Sequence, residues 1–440
     1  MPLLGNTVQY GRDPLGLLTR CAREFGDVVR LRLGFGTFYV LNHPDGVEEV
    51  LRGQSDSVEK DWLTKSISGV VGQGLLTSEG SFWRRQRKLA QPAFQHQAIE
   101  RYGDVMVEHS LRLLQDWQIG QTRDIHADMM GLTLDIVAKT LFNSDVADES
   151  HGIGESLETM MSYYVGVAHL IPFRDWLPTP ASRRFQAAVK RVDEVIYGII
   201  RRRRADGTDP GDLLARLLAA RDDQGSGMTD RQLRDECATL FLAGHETTAL
   251  TLTYAFHLLA HHPDAFDRIA AELDDVLGDR PPAAADVPRL VYLGWVVRES
   301  MRLYPPAWTI GRQAVVDMEV GGYPAKKGTQ FLIAQWVLHR DPRWWDEPEA
   351  FRPERWDGDL ARRLPKGAYI PFGDGPRVCI GNHFAMMEAV LILATLCQGR
   401  RLSAIPGEVL ALSPSITLRP TSGLKMLVQA RTESVARAGP

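Results

Sequence analysis

Cysteine is scarce in this chain: four residues among 440, at Cys21, Cys237, Cys379 and Cys397. No two form a CxxC pair, and none is grouped with histidine at zinc spacing. Neither a disulfide framework nor a structural zinc site is therefore expected. Long apolar runs are also missing. No stretch of about 18 apolar residues occurs. The start, Met1-Pro2-Leu3-Leu4-Gly5-Asn6, lacks the basic-then-apolar order of a secretion signal. The expectation is a reducing, cytoplasmic setting with no membrane span. Charge of one sign is lacking too: 51 Lys and Arg against 55 Asp and Glu leave −4. That balance excludes a general attraction to nucleic acid or to an anionic membrane. Internal repeats and low-complexity tracts are absent. With 44% apolar residues, the chain can bury a large core and still enclose a ligand-sized cavity.

The pattern along the chain is mainly helical, with a small β part at both ends. Val28–Leu33 and Thr37–Leu41 alternate around Gly34-Phe35-Gly36 and read as a hairpin. From about 81 to 278 the periodicity is helical. The longest segment runs from Asp230 to His261, with Thr229 or Asp230 to open it and Pro263 to close it. Another helix is expected over Val287–Leu303, stopping before Pro305-Pro306. Strand-like pieces follow at Thr309–Val315 and Gln330–Ala334. A Pro-, Trp- and Arg-rich stretch covers 341–371, and a last helix starts just after Cys379. Arg201–Arg204 closes a helical stretch, where cations suit the helix dipole.

The densest chemical signal is Phe372-Gly373-Asp374-Gly375-Pro376-Arg377-Val378-Cys379-Ile380-Gly381. Its glycines allow a tight backbone that can lie close to a flat ligand. Cys379 stands at the mouth of the following helix, where free N–H groups favour a thiolate, and Arg377 adds positive charge. A lone cysteine is by default a buried structural residue. Two glycines, an arginine and a phenylalanine at fixed offsets argue against that here.

These residues fill every position of FxxGxRxCxG, and the chain resembles the cytochrome P-450 family of haem-thiolate monooxygenases, in its soluble bacterial form. The resemblance covers nearly the whole chain. It implies a single domain over 1–440 with the mainly α cytochrome P-450 fold. A β-rich part at about 25–60 would pack with strands near 308–335 and 410–430, beside a helical body over 81–305. Haem b would lie between the long helix and the cysteine loop, ligated by Cys379, with Phe372, Gly373, Arg377 and Gly381 around it and O2 as co-substrate. Glu299-Ser300-Met301-Arg302 is similar to the family's ExxR motif. With Arg355 from Phe351-Arg352-Pro353-Glu354-Arg355-Trp356 it implies a buried structural network. Ala243-Gly244-His245-Glu246-Thr247-Thr248 matches the oxygen-groove pattern. It implies that dioxygen sits beside Ala243 and Gly244, that Thr247 steadies it and that Glu246 relays protons. Trp83 and Arg87 resemble the family's WxxxR, and with Arg312, Arg377 and His339 they are expected to hold the haem propionates.

Other readings fall on single residues. His245-Glu246 suggests a zinc-protease HExxH, but position 249 is alanine. Gly34-Phe35-Gly36 suggests a dinucleotide loop, but position 39 is tyrosine and no helix follows. No flavin or phosphate-loop pattern occurs. Electrons are therefore expected from a ferredoxin or flavodoxin with an NAD(P)H reductase, and Arg84, Arg85 and Lys88 are candidates for docking that donor. By analogy with the family, the substrate pocket is expected from parts of 59–76, 163–177, Leu240–Gly244, Ala307–Ile310 and Ile416-Thr417. Its candidate residues are Leu240, Phe241, Ala307, Trp308, Thr309, Ile310, Ile416 and Thr417. The aromatic residues Tyr163, Tyr164, Phe173 and Trp176 serve either that pocket or the core. The expected substrate is a lipophilic small molecule such as a fatty acid, terpenoid or polyketide, and the expected state is a monomer. Alternatives are a haem-thiolate isomerase or peroxygenase, and a haem-binding sensor without turnover.

Overall fold

The computed structural model describes residues 5–34, 36–143, 147–163, 179–207 and 211–431. The hairpin forms as expected, with β1 (Val28–Leu33) and β2 (Gly36–Leu41) antiparallel. Their inward side chains Val29, Leu31, Phe38 and Val40 are buried, the period-2 burial of a one-faced sheet. A five-stranded sheet grows from this hairpin. It adds β3 (Val58–Glu59), β5 (Thr309–Ala314) and β8 (Gln330–Ala334) in the order β1-β2-β8-β5-β3, counting β4 (Thr122–Asp124), β6 (Met318–Val320) and β7 (Tyr323–Ala325) elsewhere. The β2–β8 pairing is parallel, with Phe38 opposite Gln330. A three-stranded sheet joins β4, β12 (Lys425–Ala430) and β9 (Arg400–Ala404), and β10 (Leu412–Pro414) pairs with β11 (Leu418–Pro420).

The longer helices are α1 (Pro14–Phe25), α2 (Gly80–Ala90), α3 (Gly103–Asp116), α4 (Ile125–Phe142), α5 (Ala147–Ser162), α6 (Pro180–Asp206), α7 (Asp230–His261), α8 (Pro263–Leu277), α9 (Val291–Leu303) and α10 (Asn382–Gly399). α7 has the bounds read from sequence. Thr229 Oγ1 accepts from Gln232 N at 3.2 Å while Thr229 N donates to Gln232 Oε1 at 2.8 Å, a reciprocal cap. Twenty-two of its 32 residues are buried, so it is the central post, packed on α4, α6, α9 and α10. α9 starts at Val291 and not near 287. Residues 284–286 form a 3₁₀ turn capped by Asp286, and Pro288 lacks the N–H that an earlier start would use. No described helix is long and apolar enough to cross a membrane. The basic run on α6 is partly paired: Arg203 bonds Asp212 at 2.7 Å and the Phe142 carbonyl at 3.0 Å, and Arg204 meets Asp230 at 2.7 Å.

Candidate active site

The cysteine loop is fastened from three sides. Cys379 N donates to Phe372 O at 2.9 Å, closing the loop on itself. Arg52 grips Asp374 with two bonds of 2.6 and 2.7 Å. Arg87 on α2 donates to Val378 O at 2.9 Å, and the Arg377 guanidinium lies 3.8 Å from the Trp83 ring centre. The WxxxR helix and the cysteine loop are thus in direct contact. Gly373 and Gly375 have φ of +74° and +68°. At Gly375 a Cβ would also stand 1.9 Å from Leu51 O, so this position admits only glycine.

Cys379 is exposed, whereas Cys21, Cys237 and Cys397 are buried. Burial of the loop raises its thiol, more than the Gly381 N–H and Arg87 lower it. A coordinating cation reverses that balance, because a metal-bound thiol is deprotonated outright.

Cations gather at one edge of this space. A cavity of about 280 Å³ is lined by Lys60, Glu79, Trp83, Arg84, Arg312 and Arg377, among others. Burial lowers the Arg377 guanidinium to about 10, with Arg312 adding to the effect and Glu79 opposing it. Arg312 is also lowered by burial. Lys60 lies well below its usual range, through burial and then Arg312 and Arg377. Glu79 pairs with Arg377, and its other oxygen accepts Lys60 N at 2.6 Å. Lys60, Arg84, Arg312 and Arg377 line this cavity against Asp56, Glu59 and Glu79, a concentration of cationic side chains that suits an anionic group such as a haem propionate. Lys60 escaped the sequence reading because no motif marks it; its only signal was membership of the 59–76 segment.

His339 sits elsewhere. It is fully buried, its Nε2 accepts from Ile370 N at 3.0 Å, and its ring packs 5.0 Å from that of Tyr369. Burial, Arg302 and Arg340 lower it to about 3. A neutral imidazole in that position cannot serve as a propionate cation, which corrects the expectation. Its carbonyl instead accepts from Arg302 at 2.9 Å. Arg302 directs all five of its N–H groups to acceptors: both oxygens of Glu299 and the carbonyls of His339, Pro348 and Ala350, at 2.6 to 2.9 Å. Glu299 also accepts from Arg355 at 2.9 Å and from Trp356 Nε1 at 3.0 Å. Glu299 and Arg302 are fully buried.

On α7, Thr247 Oγ1 donates to Ala243 O at 2.7 Å, the back-bond that bends a helix. Ala243 is exposed, and Gly244 and Thr247 are half-buried. Glu246 turns the other way and is 1% exposed. Its Oε1 accepts from Thr417 Oγ1 at 2.5 Å and from Arg419 Nε. Burial pushes its carboxyl up, but Arg419 and Thr417 outweigh burial and hold it below the usual range. As folded, Glu246 is an ionised anchor for β11 and not a donor at the groove.

The pocket candidates divide. Leu240, Ala307, Thr309, Ile310 and Ile416 are half-buried. Phe241 is buried against Phe142 at 6.0 Å between ring centres. Trp308 is buried and donates Nε1 to Ser415 O at 2.8 Å. Thr417 is spent on Glu246. These three belong to the core. Tyr163 also stacks in the core, 4.4 Å from Phe185, while Tyr164, Phe173 and Trp176 lie outside the described residues. Arg85 is largely covered, whereas Lys88 stays exposed. They hold Asp222 and Asp223 at 2.7 and 2.6 Å, clamping a loop to α2. Arg84 is exposed beside Asp56 at 3.7 Å.

The sequence model of the cytochrome P-450 family matches residues 1–427. The chain belongs to the cytochrome P-450 family. Among curated relatives, it is 37% identical over 439 residues to cyclooctatin synthase of Streptomyces melanosporofaciens, covering 98% of this chain and 94% of that protein. It is 36% identical over 413 residues to cyclooctat-9-en-7-ol 5-monooxygenase of the same organism, covering 93% and 90%. It is 31% identical over 433 residues to pentalenene oxygenase of Streptomyces avermitilis, covering 98% and 96%. The protein is a cytochrome P-450 oxidoreductase, and cysteine-ligated haem and O2 are the family's means.

Proposed function

We propose that this cytochrome P-450 inserts one oxygen atom of O2 into a cyclic terpenoid, with Cys379 as haem ligand. One observation carries the reading: α2 and the cysteine loop meet through Arg87–Val378 and Arg377–Trp83, with the only exposed cysteine between them. When bound, haem supplies dioxygen activation, and a thiolate ligand favours O–O cleavage. The protein's own residues do the rest. Cys379 donates the thiolate. Arg87, Arg312, Arg377, Trp83 and Lys60 would hold the propionates. Thr247 offers a hydroxyl at the groove beside Ala243 and Gly244. Leu240, Ala307, Thr309, Ile310 and Ile416 present an apolar wall that excludes water and orients a hydrocarbon skeleton. The names of these three relatives favour the terpenoid among the lipophilic candidates. Electrons come from a ferredoxin or flavodoxin with its reductase, and the chain acts as a monomer.

The first test is the carbon monoxide spectrum of the dithionite-reduced protein. A strongly red-shifted Soret band, lost in Cys379→Ala, is expected. A band of the histidine-ligated kind would remove the assignment. The second test is turnover of cyclic terpene hydrocarbons and alcohols with surrogate ferredoxin, reductase and NADPH. Gain of one oxygen is expected. Product formed only with peroxide would favour a peroxygenase, and haem binding without product would favour a sensor.

A further inference from the structure

Directly after a short helix at Pro44–Glu48, the chain makes a single π turn over Glu49–Gly53. Its closing bond runs from Gln54 N to Glu49 O at 2.7 Å, across five residues where an α turn closes across four. Such turns are rare and frequently stand at functional sites. This one is held firmly. Glu49 Oε1 accepts from Gln54 Nε2 at 2.6 Å, and its Oε2 accepts from Gly321 N at 2.9 Å. Gln54 Nε2 also donates to Glu319 O at 2.8 Å. These bonds tie the turn to β6 and to the bend that follows it. On the inner side, Val50 and Leu51 are buried in one cluster with Phe331, Ile333 and Ile370.

This fixed ledge meets the cysteine loop at two adjacent points. Leu51 O faces Gly375, where no Cβ could stand. Arg52 binds Asp374 through Nε and Nη2, one nitrogen on each carboxylate oxygen, the bidentate geometry of a strong charged pair. Asp374 is buried, while the Arg52 side chain is half exposed. Asp374 and Gly375 lie inside the ring that Cys379 N closes on Phe372 O, and Val378 N draws the ring in by donating to Gly375 O at 3.1 Å. A hold on Asp374 is therefore a hold on the ring that presents Cys379.

The loop's fastenings differ in what else they do. Arg87 and Arg377 are also expected propionate contacts. Arg52 is not: Val50, Leu51 and Arg377 line the cationic cavity, and Arg52 does not. It can reach the sulfur only through the loop. We propose that Arg52 is a positioning residue, whose bidentate hold on Asp374 from the π turn keeps the loop in the shape that lets Cys379 bind the haem iron as a thiolate. The inference rests on the reading of Cys379 as haem ligand.

The physical reason is twofold. An axial ligand must be delivered to one point, and this loop has no helix or strand ladder of its own to fix that point. Removing the guanidinium also leaves the Asp374 carboxylate buried and unpaired. The carboxylate regains water only by moving outward, and it carries the loop with it.

The test follows the reduced carbon monoxide complex of the haem-loaded full chain in urea below the unfolding transition. The red-shifted thiolate band is timed as it gives way to a band at shorter wavelength, and far-ultraviolet circular dichroism is recorded alongside. Arg52→Ala should convert about tenfold faster than the native chain, the share of one charge-assisted pair, with its ellipticity unchanged. Arg52→Lys keeps the charge without the planar fork and should fall between the two. Arg52→Ala combined with Asp374→Asn leaves no unpaired carboxylate and should convert more slowly than Arg52→Ala alone. If Arg52→Ala does not accumulate with haem, Arg52→Lys against the native chain decides, and equal rates there are a refutation. Equal rates in Arg52→Ala and the native chain would overturn the proposal. So would a loss of ellipticity in step with the band, which would make Arg52 a general support of the fold. Failure of the Cys379 reading shows differently: the native chain would then never display the red-shifted band.

Discussion

A single ion pair decides the state of Glu246. Burial alone would keep this side chain protonated, and Arg419 with Thr417 reverses that. In Arg419→Gln the carboxylate would lose its charged partner in a buried site, a change that costs about 3–5 kcal/mol. The sign with pH is diagnostic. In the native chain the folded carboxyl lies below its unfolded value, so its stabilisation is present near neutrality and is lost as pH falls. In Arg419→Gln burial takes over and the trend reverses, with acid now favouring the folded state. Urea midpoints between about pH 3.5 and 7.5 for both proteins check this. Thr247 supplies a separate test. Thr247→Ala should leave haem binding intact but uncouple NADPH consumption from product, read as the ratio of the two. Full coupling would remove Thr247 from the oxygen chemistry. The place of the threonine, bonded back to Ala243 beside Gly244, was legible in the sequence. The partner of Glu246 was not, because Arg419 is 173 positions away and no local pattern points to it.

Elements show the same division between local and distant signals. α7 could be read to its ends because its punctuation is local: a Thr229 cap and Pro263 just beyond. The hairpin of β1 and β2 was legible from alternation. The misplaced candidates all fail for non-local reasons. Trp308 is spent on Ser415, His339 on Ile370, and Thr417 on Glu246. In each case the residue type suited the proposed role, and a partner remote in sequence took it. The cysteine loop gives a prediction at this scale. Gly375→Ala must push a Cβ against Leu51 O, backbone against backbone, which no rotamer can relieve. The variant should purify with little haem and a lowered melting temperature. Arg302→Lys tests the neighbouring network. Lysine has three donors where arginine uses five, leaving Glu299 and several carbonyls short of partners. A loss of about 3–5 kcal/mol is expected by denaturant titration.

At the scale of the whole molecule, haem and chain should stabilise each other. Free haem at a thousand times its dissociation constant adds about 4 kcal/mol, so the haem-loaded protein should melt well above the haem-free chain. Lys60 is expected to make part of this difference. Its folded ammonium lies far below the usual range, so without a facing anion its charge opposes folding, and stability should rise with pH above neutrality. Lys60→Met should stabilise the haem-free chain, flatten that rise and narrow the melting gap. Calorimetry on the four proteins decides it, and an unchanged gap would exclude Lys60 from the propionate edge.

The parallel pairing of β2 with β8 sets an order of events during synthesis. Phe38 waits for Gln330, so a nascent chain carries its first hairpin with one edge unpaired while nearly three hundred further residues are made. Until β8 emerges from the ribosome, that edge can add to any strand in reach. Yield in a fast-translating host should therefore depend on chaperone supply and temperature more than the stability of the finished enzyme would suggest.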